Sequence, residues 1–231
     1  MKRLLPIFLF LFLFASEDLF SQKSPSGSYT LEEAPQKKIK ERKDRIVVDF
    51  SYDGWSGLPP GIQQKPYSLG GNAYLMWDYP MGYGPLSIAF GAGFSTHNVH
   101  TNGEITYSID GKYTSLQPIT RPYKRNKLSC NYVEIPLELR IRTGANSHGF
   151  KLAIGGRIGY MYNAHTKVID DDGKRKVYWI KNLNPWRYGV SFRIGYDKYT
   201  IQGFYALSEL FDKGNGPKMV PYSIGVGLLL Y

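Results

Sequence analysis

The sequence predicts an all-β fold, an eight-stranded antiparallel transmembrane β-barrel with short periplasmic turns and long extracellular loops. Three observations predict it: apolar side chains recur every second residue in eight segments, charges stand at mid-strand on the opposite face, and long and short connectors alternate. The composition agrees. Among 231 residues there are 19 Tyr, 12 Phe and 25 Gly, a usage that disfavours a helical bundle or a disordered chain. The single cysteine, Cys130, excludes an intrachain disulfide framework and a Cys-based zinc site. It also lies too far from the N-terminus to carry a lipoprotein anchor.

The start of the chain reads as an address. Lys2 and Arg3 precede an apolar run from Leu4 to Ala15, and a short polar exit ends in Ser21-Gln22. That run is too short to cross a hydrocarbon core of roughly 30 Å as a helix, but it suits a signal peptide over residues 1–22. No later stretch offers the roughly 18 consecutive apolar residues of a transmembrane helix. Residues 23–44 are rich in Pro, Ser, Glu and Lys, with Lys37, Lys38, Lys40, Arg42 and Lys43 close together. They are expected to form a basic, solvated periplasmic arm that orders only against a partner. The net charge of +10, from 29 Lys and Arg against 19 Asp and Glu, arises outside the leader, where Lys2 and Arg3 cancel Glu17 and Asp18.

The barrel is expected over residues 45–231. Ile46, Val48, Phe50 and Tyr52 alternate with Val47, Asp49, Ser51 and Asp53, and Leu69, Ala73, Leu75 and Trp77 follow in the second segment. Leu86, Ile88, Phe90 and Phe94 mark the third; Val133, Ile135, Leu137, Leu139 and Ile141 mark the fourth. Leu152, Ile154, Ile158, Tyr160 and Tyr162 make the fifth, and Tyr188, Val190, Phe192, Ile194 and Tyr196 the sixth. Ile201, Tyr205 and Leu207 give the seventh, and Tyr222, Ile224, Val226, Leu228 and Leu230 the eighth. A soluble sandwich or lipocalin-like barrel also alternates, but it turns its large apolar residues inward. Here the second face combines Gly, Ala and Ser with Asp49, Glu134, Glu138, Arg140, Arg157 and Arg193, which suits a narrow lumen. Connectors are short after the second segment (Pro80–Gly84), the fourth (Gly144–His148) and the sixth (Asp197-Lys198), and long after the odd-numbered ones. Long extracellular loops and short periplasmic turns sort in this way, which puts both termini in the periplasm. The final Tyr231 is the terminal aromatic typical of bacterial outer-membrane barrels. Aromatic belts are expected at Tyr79, Tyr83 and Tyr196 on the periplasmic side, and at Tyr52, Trp55, Tyr162 and Trp186 on the outer side.

The run Asn131-Tyr132-Val133-Glu134-Ile135-Pro136-Leu137-Glu138-Leu139-Arg140 resembles the Tyr-x-Glu-Ile-Pro-Leu strand of the small Bacteroidetes outer-membrane barrels, the PorT-like group. The leader end Phe20-Ser21-Gln22 and the Gly-rich close Ser223–Tyr231 are similar to theirs. The likeness covers most of residues 43–231 as a pattern, and Glu134-Ile135-Pro136-Leu137 is its specific part. Several members serve type IX protein secretion and gliding motility. The resemblance therefore implies a structural or accessory subunit of that machine.

Catalytic chemistry has a weaker footing. Ser95, His97 and Glu104 offer the residue types of a hydrolytic set, with His97, His100 and His165 expected as rim histidines in polar loops, but spacing alone does not define a triad. Asp170-Asp171-Asp172-Gly173 lacks the alternating ligands of a calcium loop and reads as a turn. No metal or other cofactor is implied. The basic residues Arg121, Lys124, Arg125, Lys127, Lys174, Arg175 and Lys176 suit lipopolysaccharide phosphates, and nucleic acid does not fit this location.

The six luminal charges are expected to pair, Glu134 or Glu138 meeting Arg157, because unpaired buried ions are not tolerated. A lumen of eight strands is just wide enough for side chains to fill it. The expectation is therefore a non-enzymatic barrel that contacts outer-membrane lipid, lipopolysaccharide and other envelope proteins. The alternatives are a stand-alone adhesin, an envelope stabiliser or a lipid-A-modifying rim enzyme.

Overall fold

The computed structural model describes residues 45–82, 84–143 and 149–230. The expected leader and arm, Tyr83, the turn at 144–148 and Tyr231 lie outside those residues. The described residues form strands and no helix: β1 (Ile46–Ser56), β2 (Leu69–Pro80), β3 (Leu86–His100), β4 (Gly103–Tyr107), β5 (Thr114–Pro118), β6 (Arg125–Arg142), β7 (Phe150–Asp170), β8 (Gly173–Tyr178), β9 (Trp186–Tyr196), β10 (Tyr199–Ala206) and β11 (Val220–Leu230).

Eight of these close a ring. The spatial order is β6-β3-β2-β1-β11-β10-β9-β7, and β7 pairs again with β6. Each neighbour is antiparallel, and Ile46 at the start of β1 lies opposite Leu230 at the end of β11. Each ring strand coincides with one of the eight alternating segments. Closure leaves the ring itself without an exposed edge, which open sheets must otherwise protect. At one end, the turn end, β9 and β10 are joined by Asp197-Lys198 alone, with Asp197 at φ 54° in the left-handed region that Asp tolerates. The other, the loop end, carries the long connectors.

Around the turn-end half, apolar side chains face out and polar ones face in. Phe50 is 62% exposed, Ile154 63% and Val226 60%, while their neighbours Asp49, Ala153 and Gly227 are buried. The loop-end half is built the other way round. Strands β3, β6 and β7 run to 15, 18 and 21 residues and rise above the rest of the ring. Along β6 the outward row is Val133, Ile135, Leu137, Leu139 and Ile141, but above it the apolar Leu128, Cys130 and Tyr132 turn inward. On β7 the same change is accommodated by a bulge opposite Asn131 and Tyr132, which shifts the register by one residue. Strand β8 folds back on β7, and the β4–β5 hairpin lies in the long connector between β3 and β6.

The inward apolar residues of this upper wall meet the loops. Val99 and Leu128 pack with Ile62, Leu116, Phe211 and Met219 in one core. Trp55 belongs to that core and is only 2% exposed, so it is not part of an outer aromatic belt. The reason is parity: Trp55 shares the inward row of β1 with Asp49 and Asp53. Tyr162, Trp186, Tyr79 and Tyr196 do face outward, each about half exposed. A second, smaller apolar cluster of Val47, Tyr74, Met76, Ala89 and Leu229 fills the interior below.

Candidate functional site in the ring interior

Alternation sends Asp49, Glu134, Glu138, Arg140, Arg157 and Arg193 inward from four different strands, β1, β6, β7 and β9, and all six are buried. Space for them comes from glycines on the same inner rows. A Cβ on Gly159 would stand 2.7 Å from Glu134 Cγ, and one on Gly227 would stand 2.6 Å from Arg193 Nη1 and collide with Asp49.

Towards the turn end, Arg193 donates in a fork to Asp49, Nη1 to Oδ1 at 2.7 Å and Nη2 to Oδ2 at 3.0 Å. Its Nη1 also reaches Thr200 Oγ1 at 2.9 Å, and Nε lies 3.8 Å from Glu138 Oε1. Glu138 accepts from Arg140 Nε at 2.8 Å, and Arg140 Nη1 reaches Asp78 Oδ2 at 3.4 Å. Arg142 pairs with the same Asp78 oxygen and ends the series.

Higher in the ring, Glu134 is held by Arg187, whose Nη2 donates at 2.6 Å and Nε at 3.1 Å, and by the Tyr74 hydroxyl at 2.5 Å. The Arg187 guanidinium lies 3.8 Å from the centre of the Tyr132 ring and donates to Ser95 Oγ at 2.7 Å. Stacking on the aromatic ring adds to the ion pair.

The expected contact of Glu134 or Glu138 with Arg157 is therefore corrected. Arg157 donates to Tyr74 Oη at 3.2 Å and to Gln202 Oε1 at 3.1 Å, so it meets Glu134 only through the tyrosine. The physical reason is competition: Arg187 stands nearer and forks onto the carboxylate. Arg187 lies one residue before the sixth alternating segment, on the odd-numbered row of Ser191 and Arg193, and extending that row would have found it. Tyr74 escaped because a large aromatic was not expected among the small inner residues of β2.

A third group lies nearest the loop end. Asp53 accepts from Ser51 Oγ at 2.9 Å, Ser223 Oγ at 2.7 Å and the Asn98 backbone N–H at 2.9 Å. His97 Nδ1 stands 3.6 Å from Asp53 Oδ1 and 3.5 Å from Ser223 Oγ. His97 is thus buried in the interior beneath the loop core, not placed in a polar rim loop. The Ser95, His97 and Glu104 set is not assembled. Ser95 donates to Asn72, while Glu104, on β4, is forked by Arg121 at 2.7 Å. Nor does Ser223 replace Ser95 as a nucleophile, because a triad sets serine and acid on opposite ring nitrogens. Here both face Nδ1, and the serine donates straight to the acid.

Among the described residues, no three His, Cys, Asp or Glu side chains come together to hold a metal ion. Asp170-Asp171-Asp172-Gly173 is the tight turn between β7 and β8, with Asp170 paired to Arg175 and Asp171 to Lys124 at 2.8 Å. Of the basic residues assigned to lipopolysaccharide phosphates, Arg125 and Lys127 sit on β6, and Lys174, Arg175 and Lys176 on β8.

Acids and bases thus alternate from Asp78 through Arg140, Glu138 and Arg193 to Asp49, and Glu134 is joined to Arg187, while Arg157 rests on the neutral Tyr74 and Gln202. Such an array is strong only as a whole, because losing one partner strands the other in a low-dielectric space. Large side chains complete the filling: Trp55, Tyr132, Phe211 and Met76 are all buried within the ring or just above it.

The family model described as outer membrane protein beta-barrel domain matches residues 45–212, from the residue before β1 to just beyond β10. The chain belongs to that family. No curated protein matches it.

Proposed function

From membership of this outer-membrane β-barrel family, we propose that the chain spans the outer membrane and works there without catalysis as a structural or accessory subunit of a protein-secretion machine. The type IX machine is the one implied by the likeness of Glu134-Ile135-Pro136-Leu137 to the PorT-like strand. The observation that carries this reading is the filled interior. Charges are paired from Asp78 to Glu134, and an apolar core lies across the loop end. An interior so occupied suits a protein that binds or scaffolds better than one that conducts. The outward apolar rows of the turn-end half supply the lipid-facing belt, with the turns and both termini on the periplasmic side.

Purification of the full chain from native membranes in mild detergent tests the role. A stoichiometric complex with other envelope proteins is expected, and an isolated monomer would overturn it. Planar-bilayer recording should give negligible conductance; a steady channel of nanosiemens size would replace scaffolding by transport. Lipid-borne quenchers in single-Trp variants test the embedding. They should reach Trp186 on the outer wall and spare Trp55 inside it.

A further inference from the structure

The outward face of the upper wall carries a row of basic side chains, three of them lysines, with which no carboxylate among the described residues pairs. The register places His100 of β3 opposite Lys127 of β6, Lys127 opposite Lys167 of β7, and Lys167 opposite Lys176 of β8. Neighbouring strands are about 5 Å apart, so these are adjacent rungs of one ladder. Like charges set directly opposite one another across a sheet are destabilising. The acids nearby are engaged elsewhere, Asp171 with Lys124, Asp170 with Arg175 and Glu104 with Arg121. Lys127 Nζ has only a neutral partner, Asn98 Oδ1 at 3.1 Å. Among the described residues, none of the three ladder lysines forms an ion pair.

Burial and like charge act on the protonation of the same groups in one direction. Burial first, and then Lys167 and Lys176, push the Lys127 ammonium below the ordinary lysine range. Burial and these lysines likewise hold His100 and His165 below the ordinary histidine value.

We propose that this ladder binds the phosphorylated saccharide head group of an outer-leaflet lipid of the lipopolysaccharide type, with Lys127, Lys167 and Lys176 holding its anionic groups. Position selects a lipid over a free anion or an acidic protein. The ladder shares one face of the same strands with the lipid-facing rows below it, which end at Phe94, Val133 and Tyr162. Lys127 lies six residues beyond Val133, about 20 Å along the strand and about 15 Å in height at the usual barrel tilt. Lysine stems reach several ångströms back towards the interface, and a sugar-phosphate head stands up to meet them. Aromatic rings flank the row, Tyr67 against His100 at 4.9 Å and Tyr178 against His165 at 5.5 Å, and they offer apolar faces to a sugar. This inference rests on the membrane-spanning reading, with the loop end outside.

The test uses the full chain in detergent, titrated with lipopolysaccharide, with the same lipopolysaccharide after phosphatase treatment, with inorganic phosphate and with a polyglutamate peptide. Intact lipopolysaccharide should bind, more weakly at high salt and more weakly after dephosphorylation. The triple variant Lys127→Gln, Lys167→Gln, Lys176→Gln should lose about tenfold to a hundredfold in affinity, and the corresponding triple Arg variant should keep it. Equal binding by the wild type and the Gln variant would overturn the site. Polyglutamate or inorganic phosphate binding as tightly as the lipid would overturn the lipid as occupant. Insertion into neutral phosphocholine vesicles, scored by heat-modified migration, is read separately for both proteins. If neither inserts, the membrane-spanning reading fails; if both insert and bind alike, only the ladder fails.

Discussion

The two halves of the ring obey opposite rules. In the turn-end half the wall is apolar outside and encloses paired charges beside a small apolar cluster; in the loop-end half the same strands are polar outside and apolar inside. β6 shows the change on one strand, where Tyr132 and Val133 are successive residues that both carry large apolar side chains and point to opposite faces. A β-strand offers two faces, and the surroundings decide which takes the oily side chains. The difference teaches that such a chain is stabilised in two ways. Hydrophobic burial can order the loop-end core as it does any soluble domain. In the turn-end half the apolar belt gains little from packing within the protein, so specificity falls to the paired charges inside.

The most damaging way to break the lower half should be to strand a carboxylate. Arg187→Ala leaves Glu134 with only the Tyr74 hydroxyl and the more distant Arg157, and should cost about 3–5 kcal/mol. Urea unfolding followed by the heat-modified gel shift measures it, and Lys174→Ala, on an exposed strand, should leave the midpoint where it was.

Next in size is a reversal of side-chain polarity on either side of the boundary along one face of β6. Ile135→Arg puts a cation on the apolar belt and should cost about 2–4 kcal/mol in vesicles. Lys127→Ile, on the same face higher up, should change stability by less than about 0.5 kcal/mol. Equal costs at the two positions would erase the boundary drawn between the halves.

A smaller effect sharpens the upper half alone. Ile62→Val trims one methylene from the loop-end core and should cost about 0.5–1.5 kcal/mol. Hydrogen exchange should show the loss in the upper parts of β3, β6 and β7, with the lower ring unchanged.

The smallest effect is electrostatic. NMR titration should find His100 and His165 protonating below the ordinary histidine range, and Lys127→Gln should raise both midpoints. Because their folded-state values are depressed, these histidines take up protons more readily when unfolded. Their contribution to stability is therefore full above the unfolded value and declines as the pH falls below it.

Much of the lower half was legible because a two-residue period survives without interruption from Val133 to Ile141 and from Ile224 to Leu230. The six inner charges followed from the same parity, although their partners did not: parity gives the face, not which guanidinium arrives first. The upper wall was illegible to the same test. The apolar row changes face at Tyr132–Val133, so a reading that demands one phase stops there and assigns the remainder to loops. The extra hairpins left a local trace in Asp110-Gly111 and Asp172-Gly173, the Asp-Gly pairs of tight turns. The loop-end core left none, since Ile62, Leu116 and the Leu210-Phe211 pair lie in separate segments and meet only in space.

The pairing of β1 with β11 sets the order of events in assembly. Ile46 and Leu230 lie nearly the whole described chain apart, yet the seam between them runs the full length of both strands. Contacts so remote in sequence form late, after the entropy of closing a very long loop has been overcome. Until then the growing sheet carries two raw edges, each able to pair with a strand from another chain. A cell making this protein must therefore keep the unfinished sheet escorted until its final strand arrives. A truncation within β11 would leave a sticky, open ribbon, not a slightly weaker ring.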